Sequence, residues 1–125
     1  MRLILPGNCR NSPKAQLVIA FNEAFLNGNF SSLLDMVEED IIWDMVGDKI
    51  VTGKMSFERM TKTLKDSPLA SMELYNIITH GKTAAANGLF IDSEGNRFEF
   101  CDVYEFKSAG SKKIQKIKSY VLTAL

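Results

Sequence analysis

The stretch that decides the fold runs from residue 71 to residue 122 and reads SMELYNIITHGKTAAANGLFIDSEGNRFEFCDVYEFKSAGSKKIQKIKSYVL. It divides into four runs rich in β-branched and aromatic residues. Gly81, SEGN (93–96) and SAGS (108–111) separate them, which is the pattern of strands joined by hairpins. The stretch therefore predicts an antiparallel meander with strands at 71–80, 83–92, 97–106 and 113–122.

The half of the chain before this stretch predicts helices and one hairpin. Ser12 followed by Pro13 is a helix start, and Gly28 is a typical helix end. Apolar residues at helical spacing then indicate a short second helix and a third helix, and Pro68 lies just beyond the third. The predicted ranges are helices at 13–27, 30–37 and 54–65, an acidic loop at 38–40, and hairpin strands at 41–47 and 49–53.

Helices followed by a strand meander predict an α+β fold rather than a parallel α/β sheet. The chain has 125 residues, which is the size of one domain. Residues 1–12 hold proline, glycine and asparagine and predict a flexible leader, so that a single domain spans 13–125.

Composition excludes several classes of protein. Fifteen Lys and Arg balance fifteen Asp and Glu, whereas nucleic-acid-binding proteins usually carry a basic excess, as do proteins that bind membrane surfaces through polybasic segments. No run approaches the ~20 apolar residues of a membrane span, and MRLILPGNC (1–9) is too short for the apolar core of a signal peptide. We therefore expect no nucleic-acid or membrane partner and a cytoplasmic location.

Metal and cofactor chemistry finds no support in the pattern. Cys9 and Cys101 lack the paired spacing of a zinc or iron–sulfur site and are expected to be free thiols, although a disulfide between them is possible in principle. His80 is the one histidine and is expected at a turn or on the surface. We expect neither a metal nor a cofactor.

Asp102 is the strongest candidate functional residue. Because alternate residues of a strand share a face, Asp102 stands alone as a charge in a row of aromatic residues: Phe98, Phe100, Tyr104 and Phe106. Apolar surroundings raise the pKa of a carboxyl group, and a perturbed acid on a buried face is a functional-site candidate. A structural aspartate bonded to a neighbouring tyrosine or backbone amide would give the same pattern.

Three further polar residues interrupt strand faces. Asp44 shares a face with Ile42 and Val46, and taken alone it is equally compatible with a residue near a hairpin turn. Asn76 and Asn87 lie within predicted strands. Either asparagine fits a cavity or a sheet edge.

The order of these elements resembles the nuclear transport factor 2-like superfamily, in its SnoaL-like branch. The resemblance spans about 13–122 and rests on AFLNGNFSSLLDMVEEDIIWDMVGDKIVTGK (24–54) and FCDVYEFKSAGSKKIQKIKSY (100–120). It implies a cone: a curved, mixed sheet wrapped around the N-terminal helices, with one deep apolar pocket. It also implies a homodimer formed through the outer face of the sheet.

Ketosteroid isomerase gives the sharpest comparison within that superfamily. The resemblance places Asp44 at the general-base position and Asp102 at the position of a protonated acid that donates to an oxyanion. Phe21 stands where that enzyme has its oxyanion tyrosine. Since Phe21 has no donor and losing one oxyanion donor typically costs ~10²–10³ in rate, the sequence argues against a steroid isomerase.

Together these features predict a protein that binds a small, largely apolar molecule. As an enzyme it would be of the isomerase, dehydratase or cyclase type, with Asp44 as base and Asp102 as neutral acid or hydrogen-bond donor facing each other across one cavity. The alternative is a non-catalytic ligand-binding or dimerisation module with a vestigial pocket. The predicted lining comprises Phe21, Asn87, Phe98, Phe100, Tyr104 and Ser119.

Overall fold

The described part of the chain forms three helices and a mixed seven-stranded sheet. The structure is a computed structural model, and it describes residues 2–5, 12–64 and 69–124. The helices are α1 (Pro13–Asn27), α2 (Phe30–Asp35) and α3 (Lys54–Thr63). The strands are β1 (Arg2–Ile4), β2 (Val37–Met45), β3 (Lys49–Thr52), β4 (Leu69–His80), β5 (Thr83–Asp92), β6 (Arg97–Phe106) and β7 (Ile114–Thr123).

The sheet has the order β1-β4-β5-β6-β7-β2-β3. The meander β4 to β7 is antiparallel, as predicted, and β2 and β3 form the expected antiparallel hairpin. Two pairs are parallel, β1 with β4 and β2 with β7. The second of these joins the hairpin of the first half of the chain to the end of the meander.

Helix α1 begins and ends where its sequence signals stand. The Ser12 hydroxyl accepts a hydrogen bond from the Ala15 amide, and Pro13 follows in the first turn, where its missing N–H costs nothing. Gly28 ends the helix at φ +68°, a left-handed conformation that favours glycine. The first helix is thus confirmed at both ends.

The helices pack on one face of the sheet, which we call the inner face, and the core lies between them. Trp43 of β2 lies between Phe25 of α1 and Phe57 of α3, with ring centroids 6.0 and 5.7 Å apart. The largest fully buried side chains include Phe57, Tyr104 and Phe106. This arrangement is the predicted α+β cone, in which a curved sheet wraps around the helices.

Two expectations about strands need correction. Part of the predicted leader, Arg2–Ile4, forms β1 beside β4. The sequence did not predict this strand, because three residues are too few to show an alternation of polar and apolar side chains. The acidic segment 38–40 is not a loop, because β2 already begins at Val37. Cys9 and Pro68 lie outside the described residues, and Cys101 is a free thiol.

None of the described helices is both long and apolar enough to cross a membrane.

Candidate functional site

Asp102 lies near the middle of β6 and points to the inner face of the sheet. It pairs with Ser119 of β7, and the same row continues to Met45 of β2. Residues opposite one another in neighbouring strands share a face. Tyr104 and Phe100, two positions to either side of Asp102, are both buried in the core. As a whole residue Asp102 is half-buried, and burial of its carboxyl group is the main cause of its perturbed pKa.

Two hydroxyl groups hold the carboxylate of Asp102. Tyr104 Oη donates to Asp102 Oδ2 at 3.3 Å, and the hydroxyl of Ser119, the cross-strand partner of Asp102, lies close enough to favour the ionised carboxyl group. Burial raises the pKa of Asp102 to about 6, while both hydroxyls favour the ionised form and limit the rise. The bond to a neighbouring tyrosine, foreseen as the structural alternative, is therefore present together with a perturbed pKa.

Two buried donors behind these hydroxyls were missed by the sequence analysis. Asn22 Nδ2 lies 3.1 Å from Tyr104 Oη, and Trp43 Nε1 donates to Ser119 Oγ at 3.0 Å. Asn22 is only 4% exposed. The sequence offered one signal for Asn22, which is that this polar residue directly follows the apolar Phe21 within a helix. For Trp43 the sequence shows only that it points away from Asp44.

Phenylalanine side chains extend the inner face from Asp102 toward the start of β6. Phe98 stacks on Phe90 of β5 with ring centroids 5.0 Å apart, and Phe100 lies 5.9 Å from Phe90. Phe98 and Phe90 are half-buried. Val121, which pairs with Phe100, is 50% exposed. An apolar wall, partly uncovered, therefore adjoins the carboxyl group of Asp102.

Phe21 of α1 lies beside Tyr104. It is buried, and its ring meets the Tyr104 ring edge-to-face at 6.0 Å. It packs the tyrosine in place but offers no hydrogen-bond donor. Tyr104 contacts Asp102 from within its own strand.

The structure does not bring Asp44 and Asp102 together. Asp44 pairs with Lys118 of β7, one position before Ser119, and it alternates with Trp43, which is buried under the helices. Since neighbouring positions of a strand face opposite ways, Asp44 lies on the outer face. This corrects the expectation that the two carboxylates face each other across one cavity.

Asn87 also lies on the outer face, away from Asp102. It pairs with Cys101 of β6, and its side-chain oxygen accepts a hydrogen bond from Asn76 Nδ2 at 3.0 Å. This corrects its assignment to the same pocket as Asp102. Asn76 and Asn87 instead line an outer groove of about 420 Å³, whose lining includes the outer-face residues Ile78, Cys101, Tyr120 and Leu122.

Within the described ranges, no three residues of His, Cys, Asp or Glu are grouped to hold a metal ion. The residues around Asp102 offer the chemistry of one carboxyl group with two hydroxyl partners. A carboxyl group whose pKa lies near the operating pH can serve as acid or base.

Comparison with known proteins identifies the fold. A family model described as a SnoaL-like domain matches residues 18–116. No curated protein matches the sequence significantly. Three similar solved structures are a candidate ketosteroid isomerase from Kribbella flavida, an LEH-like epoxide hydrolase from M. tuberculosis and a candidate SnoaL-like polyketide cyclase from Mesorhizobium loti.

These likenesses are close in fold and distant in sequence. The isomerase is 12% identical with a TM-score of 0.73, covering 88% of this chain and 78% of that one. The epoxide hydrolase is 17% identical with a TM-score of 0.72, covering 86% and 80%. The cyclase is 15% identical with a TM-score of 0.67, covering 87% and 99%. At such identities the likeness shows the fold alone.

Proposed function

We propose that this chain, which belongs to the family of SnoaL-like domains, binds a small, largely apolar molecule against Asp102 and exchanges a proton with it. The observation that carries the proposal is the position of Asp102 beside a partly uncovered apolar wall on the inner face, with the pKa of its carboxyl group raised to about 6. Both protonation states of such a group are accessible near neutral pH, which is the condition for efficient acid–base catalysis.

The surroundings of Asp102 favour an apolar ligand with one polar atom. Phe98 and Phe100 stand on one side along β6, and the partly exposed Val121 stands across from Phe100. Ligand pockets are typically lined by such side chains, with a few polar groups to fix orientation. Solved structures of this fold include a candidate isomerase and a candidate cyclase, in keeping with proton transfer at carbon. Asp44 has no part in the proposed chemistry, because it lies on the outer face.

Hydrogen–deuterium exchange of a simple carbon acid tests the proposal. Decalone, a bicyclic ketone without charge, is incubated in D₂O with the protein, and the loss of its α-hydrogens is followed by proton NMR. We expect the wild type to accelerate exchange and Asp102→Asn to lose about 10²-fold or more of that acceleration, the usual contribution of a positioned acid or base.

Asp44→Asn is the matched control, because it removes a carboxylate from the opposite face. It should leave the exchange rate unchanged. Equal exchange rates for the wild type and Asp102→Asn would contradict the proposal, as would a wild type that neither binds decalone nor accelerates its exchange.

A second candidate function, a non-catalytic dimerisation module, has two observations in its favour. Both hydroxyl partners of Asp102 come from the protein itself, while the outer groove exposes apolar side chains. The exchange experiment separates the two candidates, since a dimerisation module would not depend on Asp102 for any reaction.

A further inference from the structure

Two hydrogen-bonded series of side chains, which we call the two chains, converge on Asp102 from different elements. One runs from Asn22 of α1 through Tyr104, and the other runs from Trp43 of β2 through Ser119. Each chain contains a hydroxyl, which can both donate and accept, and begins at a side-chain N–H group. The direction of every hydrogen bond can therefore be worked out from the outer end inward.

The direction of the first chain is fixed by a backbone carbonyl. Asn22 Nδ2 lies 2.9 Å from the Val18 carbonyl oxygen and 3.1 Å from Tyr104 Oη. A carbonyl oxygen only accepts, so the amide nitrogen of Asn22 must face Val18, and its second hydrogen points to Tyr104. Tyr104 Oη then accepts from Asn22 and directs its own hydrogen to Asp102 Oδ2, 3.3 Å away.

The direction of the second chain is fixed by the indole. Trp43 Nε1 is a donor only, and it lies 3.0 Å from Ser119 Oγ. Ser119 Oγ therefore accepts from Trp43, which leaves its own hydrogen free to point to Asp102, its cross-strand partner. Trp43 and Ser119 are both buried, so water does not compete readily for either group.

We propose that Trp43 and Asn22 are positioning residues, which turn the hydroxyl hydrogens of Ser119 and Tyr104 toward Asp102 so that the site holds a carboxylate acting as a base. The proton would pass from a C–H or O–H bond of the bound molecule to Asp102, and the electron pair of that bond would stay on the molecule. The part that concerns a bound molecule rests on the proposed function. The orientation of the hydroxyls does not.

This assignment differs from the role implied by the resemblance, in which Asp102 is protonated and donates to an oxyanion. Two O–H groups pointing at one carboxyl group favour its ionised form, and burial opposes them, which leaves the pKa at about 6. At neutral pH the carboxylate is then the major species, and it can accept a proton.

The main polar partners of Asp102 are the hydroxyl groups of Tyr104 and Ser119. Its other neighbours are as follows. Ser119 and then Met45 follow it in its row, and the row ends at the exposed Lys49 of β3. Ala86 of β5 stands on its other side. From α1, Phe21 packs on the ring of Tyr104 and Asn22 is hydrogen-bonded to its hydroxyl, and Tyr104 is a titratable group hydrogen-bonded to Asp102.

Two other groups, Cys101 and His80, lie on the outer face, and their effects must be distinguished from that of Asp102. Cys101 precedes Asp102 and points to the outer face, where burial and the Asp102 charge raise the pKa of its thiol. His80 pairs with Thr83 in a row of the outer face. An Asp102→Asn variant distinguishes the effect of Asp102 from that of either group.

The indole of Trp43 supplies the test, because the sequence contains a single tryptophan. Its Nε1–H gives one resonance in a ¹⁵N-correlated NMR spectrum. With ¹³C detection of the Asp102 carboxyl group alongside, we expect both signals to titrate with the same midpoint in the ligand-free wild type. The indole shift should be lost in Asp102→Asn. An indole signal that stays flat while the Asp102 carboxyl group titrates would overturn the proposal.

A pair of variants separates positioning from packing. Trp43→Phe keeps an aromatic ring beside Phe25 and Phe57 but removes the donor, so we expect the midpoint of Asp102 to rise by about half a unit or more. Phe57→Leu disturbs the same packing without removing a donor, and its midpoint should match the wild type. Equal midpoints in both variants would also overturn the proposal. Neither measurement uses a ligand, so failure of the proposed function in the decalone experiment would be seen separately.

Discussion

Among the individual residues, Asp102 is a candidate functional group whose ionised form lowers the stability of the folded protein. Its folded-state pKa of about 6 lies above the ordinary value of 3.8, so the folded protein binds this proton more tightly than the unfolded chain does. The resulting contribution to stability is complete below about pH 3.8 and is lost as the pH rises through about 6. At neutral pH the ionised Asp102 therefore opposes folding.

We expect Asp102→Asn to be more stable than the wild type at pH 8, because the amide keeps the shape of the side chain and cannot ionise. The gain should reach about 3 kcal/mol at most, since one pKa unit corresponds to about 1.4 kcal/mol. Urea denaturation at pH 8 and at pH 4 measures it, and the difference between the two proteins should shrink at the lower pH. A wild type that is the more stable protein at pH 8 would contradict the assignment.

At the same scale, the sequence predicted individual residues better than it predicted their contacts. Alternation along β6 placed Asp102 correctly among aromatic residues, and alternation along β2 placed Asp44 with Ile42. It did not reveal which face of β2 lies under the helices. Nor did it reveal the reach of Trp43 to Ser119 across 76 residues of sequence, because such a contact depends on the parallel pairing of β2 with β7.

Among the elements, those with strong local signals were predicted and those defined by a distant partner were not. Helix α1 carries its own start and stop residues, and β5 and β6 are bounded by turns, so local chemistry is enough to place them. β1 has three residues and forms only against β4. The acidic start of β2 forms a strand although its polar side chains suggested a loop, since tertiary pairing overrides local propensity.

Strand β5 contains a close approach that tests its pairing with β4. A Cβ at Gly88 would collide with the Glu73 carbonyl oxygen, beside the register shift between Leu74 and Asn76. Only glycine leaves room for the backbone of β4 at this point. We expect Gly88→Ala to lower the free energy of unfolding by about 2–4 kcal/mol, because the backbone must move to accept the methyl group.

Gly110→Ala is the matched control for this substitution, since a Cβ there meets nothing within 4 Å. Its free energy of unfolding in urea should stay within about 1 kcal/mol of the wild type. A Gly88→Ala protein as stable as Gly110→Ala would show that β4 and β5 are not as close as described.

On the scale of the whole molecule, the sheet presents an apolar outer face that the helices do not cover. Ile78, Tyr120 and Leu122 are 66%, 42% and 74% exposed, and all three line the outer groove. Clustered apolar exposure of this kind is typical of an association surface. We propose that two copies of the chain pack through this face, as the sequence resemblance led us to expect.

Light scattering at micromolar concentration tests this association. We expect a mass of twice the 14.0 kDa of the chain for the wild type and a shift toward the single-chain mass for Leu122→Glu, because a buried unpaired charge is costly at an interface. Met55→Glu, at an equally exposed apolar position on α3, should remain dimeric. A wild type of single-chain mass would contradict the proposal, and so would equal masses for the two variants.

The ionisation of Asp102 is the central claim, and a single titration tests it most directly. The ¹³C chemical shift of its side-chain carboxyl group is followed against pH in the ligand-free wild type, with Asp102→Asn used to assign the signal. We expect a midpoint at about 6, because burial disfavours the charged form more than the Tyr104 and Ser119 hydroxyls favour it. A midpoint near the ordinary value of 3.8 would contradict it.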